Sequence, residues 1–312
     1  MTQPAVDAST SVPARPSTFR IWLLAIRPAT LPAAVSGVVV GLGAALAVGT
    51  PFRVDAALGC LAVALLLQVA ANLANDLSGF RAGADTPDRT GPVRVAAAGL
   101  VTERQLEIAI GIVIGLAGLV GLGLVAIGGP GLLVVGALAI VAAVAYTGGP
   151  WPYGYHGLGE VFVFVFFGLV AVVGTAYLQA GTVEPLFVVA AIPVGCLITA
   201  ILVVNNLRDI PTDAAAGKRT LAVIVGRDRT VQEYGVLLTA AFVVPLALVG
   251  SSLGWPLLLT LLAAPLALPL DRRVRTFTEP RQLNPVLKGT ARLALVHSLL
   301  FGAGLALSGA LA

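Results

Sequence analysis

Apolar runs of about 18 to 25 residues recur along nearly the whole chain, and each is long enough to cross a bilayer as a helix. A backbone inside lipid must satisfy its own hydrogen bonds, so runs of this length predict helices. Only 11% of the residues are charged, whereas soluble domains carry about 25%. This composition excludes an ordinary soluble domain and predicts an all-α, polytopic membrane protein.

We predict nine membrane-spanning helices whose connecting loops alternate between the two sides of the bilayer. The predicted spans are 28–48, 56–76, 104–127, 131–147, 158–180, 185–207, 231–250, 253–270 and 290–311. The segment 1–19 is rich in Pro, Ser and Ala and lacks apolar periodicity. We therefore expect a disordered arm over 1–19 and one intramembrane domain over 20–312.

The basic residues test this topology, because the cytoplasmic loops of membrane proteins are enriched in Lys and Arg. With the N-terminus placed inside, all of the 19 Lys and Arg residues except Arg53 fall in the segments on that side or in their flanks. We expect a plasma-membrane protein with its N-terminus and polar loops in the cytoplasm and its C-terminus outside. The cations do not line one basic face, which argues against nucleic-acid binding.

A polar cluster ends the second predicted span, where the sequence reads NLANDLSGFRAGADTPDR from Asn72. Spacings of three and four place four polar side chains on one helix face: Gln68, Asn72, Asn75 and Asp76. The following loop adds further charged residues: Arg81, Asp85, Asp88 and Arg89. Ionisable groups at a membrane boundary are costly and usually mark a functional site.

A similar cluster ends the sixth predicted span, in the stretch NNLRDIPTDAAAGKRTLAV from Asn205. Asn205, Asp209 and Asp213 are spaced by four and share one helix face. The pattern Asn-x-x-x-Asp thus occurs twice, at 72/76 and 205/209, each time at the predicted cytoplasmic end of a span. This weak internal repeat predicts two half-bundles around a central cavity that opens to the cytoplasmic side.

Five carboxylates at one membrane edge would repel one another: Asp76, Asp85, Asp88, Asp209 and Asp213. A divalent cation would relieve this repulsion, and hard oxygen ligands suit Mg²⁺, which shares its coordination shell with phosphate oxygens. Arg208, Lys218 and Arg219 could neutralise the remaining phosphate charge. The residues therefore predict a site at the lipid boundary for Mg²⁺ and a diphosphate with a long hydrocarbon tail.

These two motifs resemble those of the UbiA superfamily of intramembrane aromatic prenyltransferases, which has two aspartate-rich motifs in a nine-helix fold. The stretches RPATLPAAVSG from Arg27 and YTGGPWPYGYHGLGE from Tyr146 are similar to its menaquinone-pathway branch. The resemblance covers residues 20–310. It implies transfer of a polyprenyl group from polyprenyl diphosphate to 1,4-dihydroxy-2-naphthoate, with loss of CO₂ and diphosphate, to give demethylmenaquinol.

The resemblance also implies roles for individual residues. Asn72, Asp76, Asp209 and Asp213 match the residues that hold the Mg²⁺–diphosphate, and Tyr146 matches a tyrosine near the aromatic acceptor. The charge pattern and the resemblance together predict further residues that bind the anionic groups of the substrates: Arg27, Arg81, Arg94, Asn205, Arg208, Lys218 and Arg219. Arg27 and Arg94 would steer the naphthoate carboxylate or a phosphate.

The first motif departs from the family pattern. The wider family has a second aspartate four residues after Asp76, and the menaquinone branch often has one three residues after it. Here these positions are Phe80 and Gly79. We therefore expect Asp85 or Asp88 to supply the missing oxygen ligand.

Two alternatives stay open at this point. The first is a related enzyme with another aromatic acceptor, such as homogentisate or 4-hydroxybenzoate, because residue chemistry alone does not separate these acceptors. The second is a cation-coupled transporter, which would carry its acidic residues near the bilayer midplane on broken helices.

Overall fold

The structure is a computed structural model that describes residues 16–83, 91 and 94–312. Over these residues it is helical and contains no β-strand. The α-helices are α1 Thr18–Ile26, α2 Leu31–Ala47, α3 Val54–Arg81, α4 Glu103–Gly128, α5 Gly131–Ala145, α6 Gly159–Val163, α7 Ala171–Ala180, α8 Pro185–Ala215, α9 Leu221–Val225, α10 Arg227–Leu248, α11 Ala264–Thr276 and α12 Leu283–Leu311. Shorter segments are the 3₁₀ turns Pro28–Thr30, Tyr153–His156, Trp255–Ala263 and Pro280–Gln282 and the π-helical Phe164–Val170.

The predicted spans coincide with these helices. Seven helical stretches of the described chain are long and apolar enough to cross a membrane, and each contains most of one predicted span. The remaining predictions, 131–147 and 253–270, fall on the 15-residue helix α5 and on Trp255–Ala263 followed by α11. The all-helical, multi-pass prediction is confirmed, while the count of nine stays a prediction. The structure describes the predicted arm 1–19 only from residue 16 onwards. The helix α1 begins within this arm, at Thr18.

Glycines bring α2 and α12 into backbone contact. A Cβ atom at Gly43 would lie 2.3 Å from the carbonyl oxygen of Gly302, and one at Gly309 would lie 2.2 Å from that of Leu46. Neither position can carry a larger residue without moving a backbone, as in other close helix crossings within membranes. Because α2 also packs against α3, α7 and α8, this seam fixes the centre of the bundle.

The helix α8 carries the second polar motif out of the core. Its middle turns, over 190–200, are buried apart from the partly buried Ile192, and they pack against neighbours that include α2, α7, α10 and α12. Pro193 and Pro211 lie inside it, and each removes one backbone N–H donor from the helix. The polar residues of the motif occupy its last turns, at the same end of the bundle as the polar end of α3.

Candidate active site

One large cavity, of about 910 Å³, lies among α2, α3, α5, α7 and α8. Part of its wall is apolar and includes Val38, Val63, Leu132, Phe167 and Leu178. The polar part lies at the C-terminal ends of α3, α5 and α8, and its described lining has six cationic and two acidic side chains: Arg20, Arg27, Arg94, Arg208, Lys218, Lys288, Asp209 and Asp213. The excess of positive charge suits an anionic group, and the apolar wall suits a hydrocarbon chain.

The second motif is organised around a buried guanidinium. Arg208 is only 2% exposed. Its Nε and Nη2 atoms donate to the two carboxylate oxygens of Asp209 over 2.7 Å and 2.6 Å. The same guanidinium donates to Oδ1 of Asn205 over 2.8 Å and to Oδ1 of Asn284 over 3.0 Å. This planar, bidentate pairing holds the Asp209 carboxylate in one orientation at the cavity wall.

The next turn of α8 places a second ion pair at the cavity. Asp213 lies 3.4 Å from Nζ of Lys218, measured to its Oδ1 atom. The Lys218 ammonium also lies 4.9 Å from the centre of the Tyr155 ring. Arg219 follows directly, but its side chain is exposed and does not line the cavity, while its backbone N–H donates to the Tyr155 carbonyl over 3.0 Å. Of these two adjacent cations, only Lys218 reaches the site.

In the first motif, Asp76 serves as an anchor. Its side chain is 1% exposed and is not among the described residues that line the cavity. The two carboxylate oxygens accept hydrogen bonds from the backbone N–H groups of Val95 and Ala96, both over 3.1 Å. Arg27 lies 4.0 Å from the same carboxylate. Asp76 thus ties the segment after the first motif to α3 and positions Arg94, which does line the cavity.

The amides of the first motif do face the cavity. Asn72 lines it and donates from Nδ2 to the carbonyl of Ile26 and to Oγ1 of Thr30, each over 2.8 Å. Asn75 also lines it and accepts a hydrogen bond from Thr147 Oγ1 over 2.6 Å. These bonds connect α3 to the start of α2 and to the end of α5.

Tyr146 lies in the cavity wall where α5 ends. Its ring meets that of Tyr153 edge to face, with 5.5 Å between the ring centres. The Tyr153 hydroxyl donates to the Ala142 carbonyl over 2.8 Å, and burial raises the pKa of Tyr153. A Cβ atom at Gly154 would lie 2.7 Å from the Tyr146 carbonyl oxygen, so only glycine fits against this turn. The turn Tyr153–His156 therefore packs against Tyr146 and holds its ring at the cavity wall.

Some predicted residues lie elsewhere. Arg81 is half exposed on α3 and forms ion pairs with Glu103, over 2.8 Å, and with Glu107 of α4. Asp85 and Asp88 lie outside the described residues. Within the described residues, no three His, Cys, Asp or Glu side chains come together as metal ligands.

Sequence reasoning missed several polar residues of the cavity, among them Thr147, Asn206, Asn284 and Lys288. Asn206 donates to Glu160 over 2.8 Å and lies beside Asn205 at the end of α8. Asn284 and Lys288 are spaced by four at the start of α12, which is a signal for one helix face. The spacing alone does not show which helix this face of α12 contacts. The contact is with α8, through Arg208 and Asn284, and it joins distant parts of the chain.

The fold and the site define a multi-pass helical membrane protein whose cavity suits an amphiphile with an anionic head. The UbiA prenyltransferase family model matches residues 34–295. Over 303 residues the chain is 41% identical to the 1,4-dihydroxy-2-naphthoate octaprenyltransferase of Escherichia coli. The aligned region covers 94% of this chain and 97% of that protein. The chain is 44% identical over 290 residues to the Mycobacterium tuberculosis protein of the same name, with 93% and 98% covered. The chain belongs to the UbiA prenyltransferase family.

Solved structures share the fold at low identity. A UbiA homologue from Aeropyrum pernix matches with a TM-score of 0.65 at 18% identity, over 87% of this chain and 96% of that one. A UbiA homologue from Archaeoglobus fulgidus, bound to GPP and Mg²⁺, matches with a TM-score of 0.61 at 12% identity, over 90% and 99%. The predicted fold class, an all-α polytopic membrane protein, is confirmed, while the nine spans and the cytoplasmic opening of the cavity stay predictions.

Proposed function

We propose that this protein transfers a polyprenyl group from polyprenyl diphosphate to 1,4-dihydroxy-2-naphthoate and releases CO₂ and diphosphate. The observation that carries this proposal is a single cavity that joins a cationic, carboxylate-bearing end to an apolar wall. The relatives named for this reaction are 41% and 44% identical over nearly their whole length, which supports the same acceptor here.

The diphosphate would bind at the end of α8. Lys218 and the buried Arg208 supply positive charge there, and Asn205 supplies an amide. The carboxylates of Asp209 and Asp213, one helical turn apart on the cavity wall, are hard oxygen ligands that fit Mg²⁺ shared with phosphate oxygens. Bound there, Mg²⁺ would neutralise the charge of the leaving diphosphate. Asp85 and Asp88 stay proposed ligands, tested by single alanine variants and the Mg²⁺ requirement of each. For Asp76, whose carboxylate is bound by the backbone of Val95 and Ala96, we propose a structural role instead of the predicted metal ligation.

The aromatic acceptor would bind against the wall formed by α1, α3 and the end of α5. Arg27 and Arg94 line this wall and are suited to the acceptor carboxylate, and the Tyr146 ring offers a surface for the naphthalene. The C–O bond of the prenyl diphosphate breaks, and the ring carbon that bears the carboxylate forms the new C–C bond. The carboxylate then leaves as CO₂ and returns its bonding electrons to the ring, which gives demethylmenaquinol.

The apolar wall has two roles in this proposal. It holds the prenyl chain, and it keeps water from an allylic carbon that becomes electron-poor when diphosphate departs. The protein would lie in the plasma membrane with its N-terminus and the polar cavity end towards the cytoplasm and its C-terminus outside. This orientation rests on the loop charges.

Product analysis tests the reaction. Purified protein in lipid nanodiscs, with Mg²⁺ and octaprenyl diphosphate, is offered 1,4-dihydroxy-2-naphthoate, homogentisate and 4-hydroxybenzoate in parallel. We expect one prenylated product, from the naphthoate, with release of one CO₂ per transfer. A product that retains its carboxylate, or a preference for another acceptor, would contradict the proposal.

A further inference from the structure

A short network of hydrogen bonds joins α3 to the turn between α1 and α2. Thr30 Oγ1 donates to the carbonyl of Arg27 over 3.0 Å. Asn72 Nδ2 donates to the carbonyl of Ile26 and to Thr30 Oγ1, both over 2.8 Å. Gln68, one turn earlier on α3, donates from Nε2 to Thr30 Oγ1 over 3.1 Å and to Asn72 Oδ1 over 3.4 Å.

The direction of every bond in this network follows from two backbone carbonyls. A carbonyl oxygen can only accept, so Asn72 must present its NH₂ group to Ile26 and its Oδ1 atom to Gln68. Gln68 must then present its own NH₂ group to Asn72 and Thr30. The usual ambiguity between amide oxygen and nitrogen is therefore removed for both side chains.

One atom of the network is left without a partner. Gln68 lines the cavity and is 9% exposed, and its Oε1 atom is buried with no hydrogen-bond partner. A buried, unsatisfied acceptor destabilises the folded state, and most such atoms in proteins are paired. The fixed orientation means that the amide cannot relieve this by rotating. A donor supplied by a ligand would satisfy it.

Among the proposed substrates, only one kind of group can donate to this oxygen. Diphosphate and carboxylate oxygens are acceptors, and a prenyl chain has neither donors nor acceptors. A ring hydroxyl of the naphthoate is a donor. We propose that Gln68 Oε1 accepts a hydrogen bond from one ring hydroxyl of the aromatic acceptor, and so positions the ring; this rests on the proposed function.

The surroundings of Gln68 agree with this role. Asn72 and the cations Arg27 and Arg94 line the same part of the cavity wall, so a carboxylate held by these cations would place its ring close to Gln68. A hydrogen bond from a phenolic hydroxyl to Gln68 Oε1 increases electron release from the phenolic oxygen into the ring. This favours attack by a ring carbon on the prenyl group, so Gln68 acts on reactivity as well as on position.

The test measures whether Gln68 and one hydroxyl act as a pair. Inhibition constants are measured for 1-hydroxy-2-naphthoate, 4-hydroxy-2-naphthoate and 2-naphthoate, against wild type and Gln68→Leu. In wild type we expect one of the two hydroxy compounds to bind about tenfold more tightly than 2-naphthoate. In Gln68→Leu this advantage should disappear, while the KM for polyprenyl diphosphate changes less than about twofold.

Thr30→Val provides a second variant, in case Gln68→Leu does not fold. It removes one of the two groups that hold the Gln68 amide, so we expect a smaller loss of the same hydroxyl preference. Equal hydroxyl preference in wild type and in every folded variant would overturn the inference. A wild type that prenylates no naphthoate would overturn the proposed function instead, so the two failures are distinguishable.

Discussion

The polar ends of α3 and α8 carry the same Asn-x-x-x-Asp spacing and use it differently. On α8, Asp209 and Asp213 line the cavity, and each is paired with a cation that also lines it. On α3, Asp76 instead accepts hydrogen bonds from the backbone of Val95 and Ala96. The polar side chains by which α3 lines the cavity are amides.

This difference shows that spacing along a helix fixes which residues share a face, but not what that face meets. The segment that follows α8 returns Lys218 towards the helix end, so its aspartates meet a side chain in the cavity. The segment 94–96 folds back onto α3 with its N–H groups towards the carboxylate, so Asp76 is used for structure. We infer that the α8 end binds the diphosphate and the α3 end binds the acceptor.

The largest effect is expected for Asp213→Asn. It keeps the shape but removes a charge from the cavity, and loss of a principal electrostatic contribution slows a reaction about 100-fold. The rate is measured at saturating Mg²⁺ and compared with Asp55→Asn, whose carboxylate pairs with Arg53 on the surface. Asp213 is preferred over Asp209, because Asp209→Asn would also leave the buried Arg208 without its ion pair. Unchanged turnover in folded Asp213→Asn would remove α8 from the diphosphate site.

The next effect separates two neighbouring cations. Lys218→Met removes a charge from the cavity and should raise the KM for polyprenyl diphosphate about 30-fold, as for other hydrogen bonds to charged groups. Arg219→Met, whose side chain is exposed outside the cavity, should change that KM less than about twofold. Equal effects of the two substitutions would contradict the assignment of the diphosphate to the α8 end.

A smaller effect distinguishes the two uses of aspartate directly. Asp76→Asn weakens the bonds to Val95 and Ala96 and so loosens the segment that positions Arg94. We expect the KM for the naphthoate to rise about fivefold, in line with the loss of about one hydrogen bond. The Mg²⁺ concentration that gives half the maximal rate should stay the same. A marked rise in that concentration would instead make Asp76 a metal ligand and the two helix ends alike.

The smallest effect is expected for Arg81→Ala. Its ion pairs with Glu103 and Glu107 are exposed, and such pairs contribute little to stability. Both KM values and the rate should stay within about twofold of wild type, since the side chain lies away from the cavity. A large rise in the KM for polyprenyl diphosphate would instead show that the Arg81 side chain binds the diphosphate.

Much of the fold could be predicted because lipid imposes a simple rule. Apolar length located the seven long helical stretches, while α5, with 15 residues, is shorter than a span. The predicted span at 253–270 is not among those seven stretches. In the site, Asp209 and Asp213 lie on adjacent turns of α8 and Lys218 follows the end of that helix, so their common position was predictable.

Other parts of the site depended on contacts between distant segments. The bonds of Asp76 to residues 95 and 96 and of Arg208 to Asn284 are made after the chain has folded back. The five residues of the network around Gln68 come from α3, from the end of α1 and from the turn that follows it. No periodicity in the sequence predicts such contacts.

The seam between α2 and α12 has a consequence for the order of assembly. These helices meet through Gly43, Gly302 and Gly309, and they lie near opposite ends of the sequence. During synthesis α2 enters the membrane long before its partner, and contacts between distant segments form late. Until α12 arrives, lipid must cover the glycine face of α2. The cavity is therefore completed only as α12 displaces that lipid and closes the bundle.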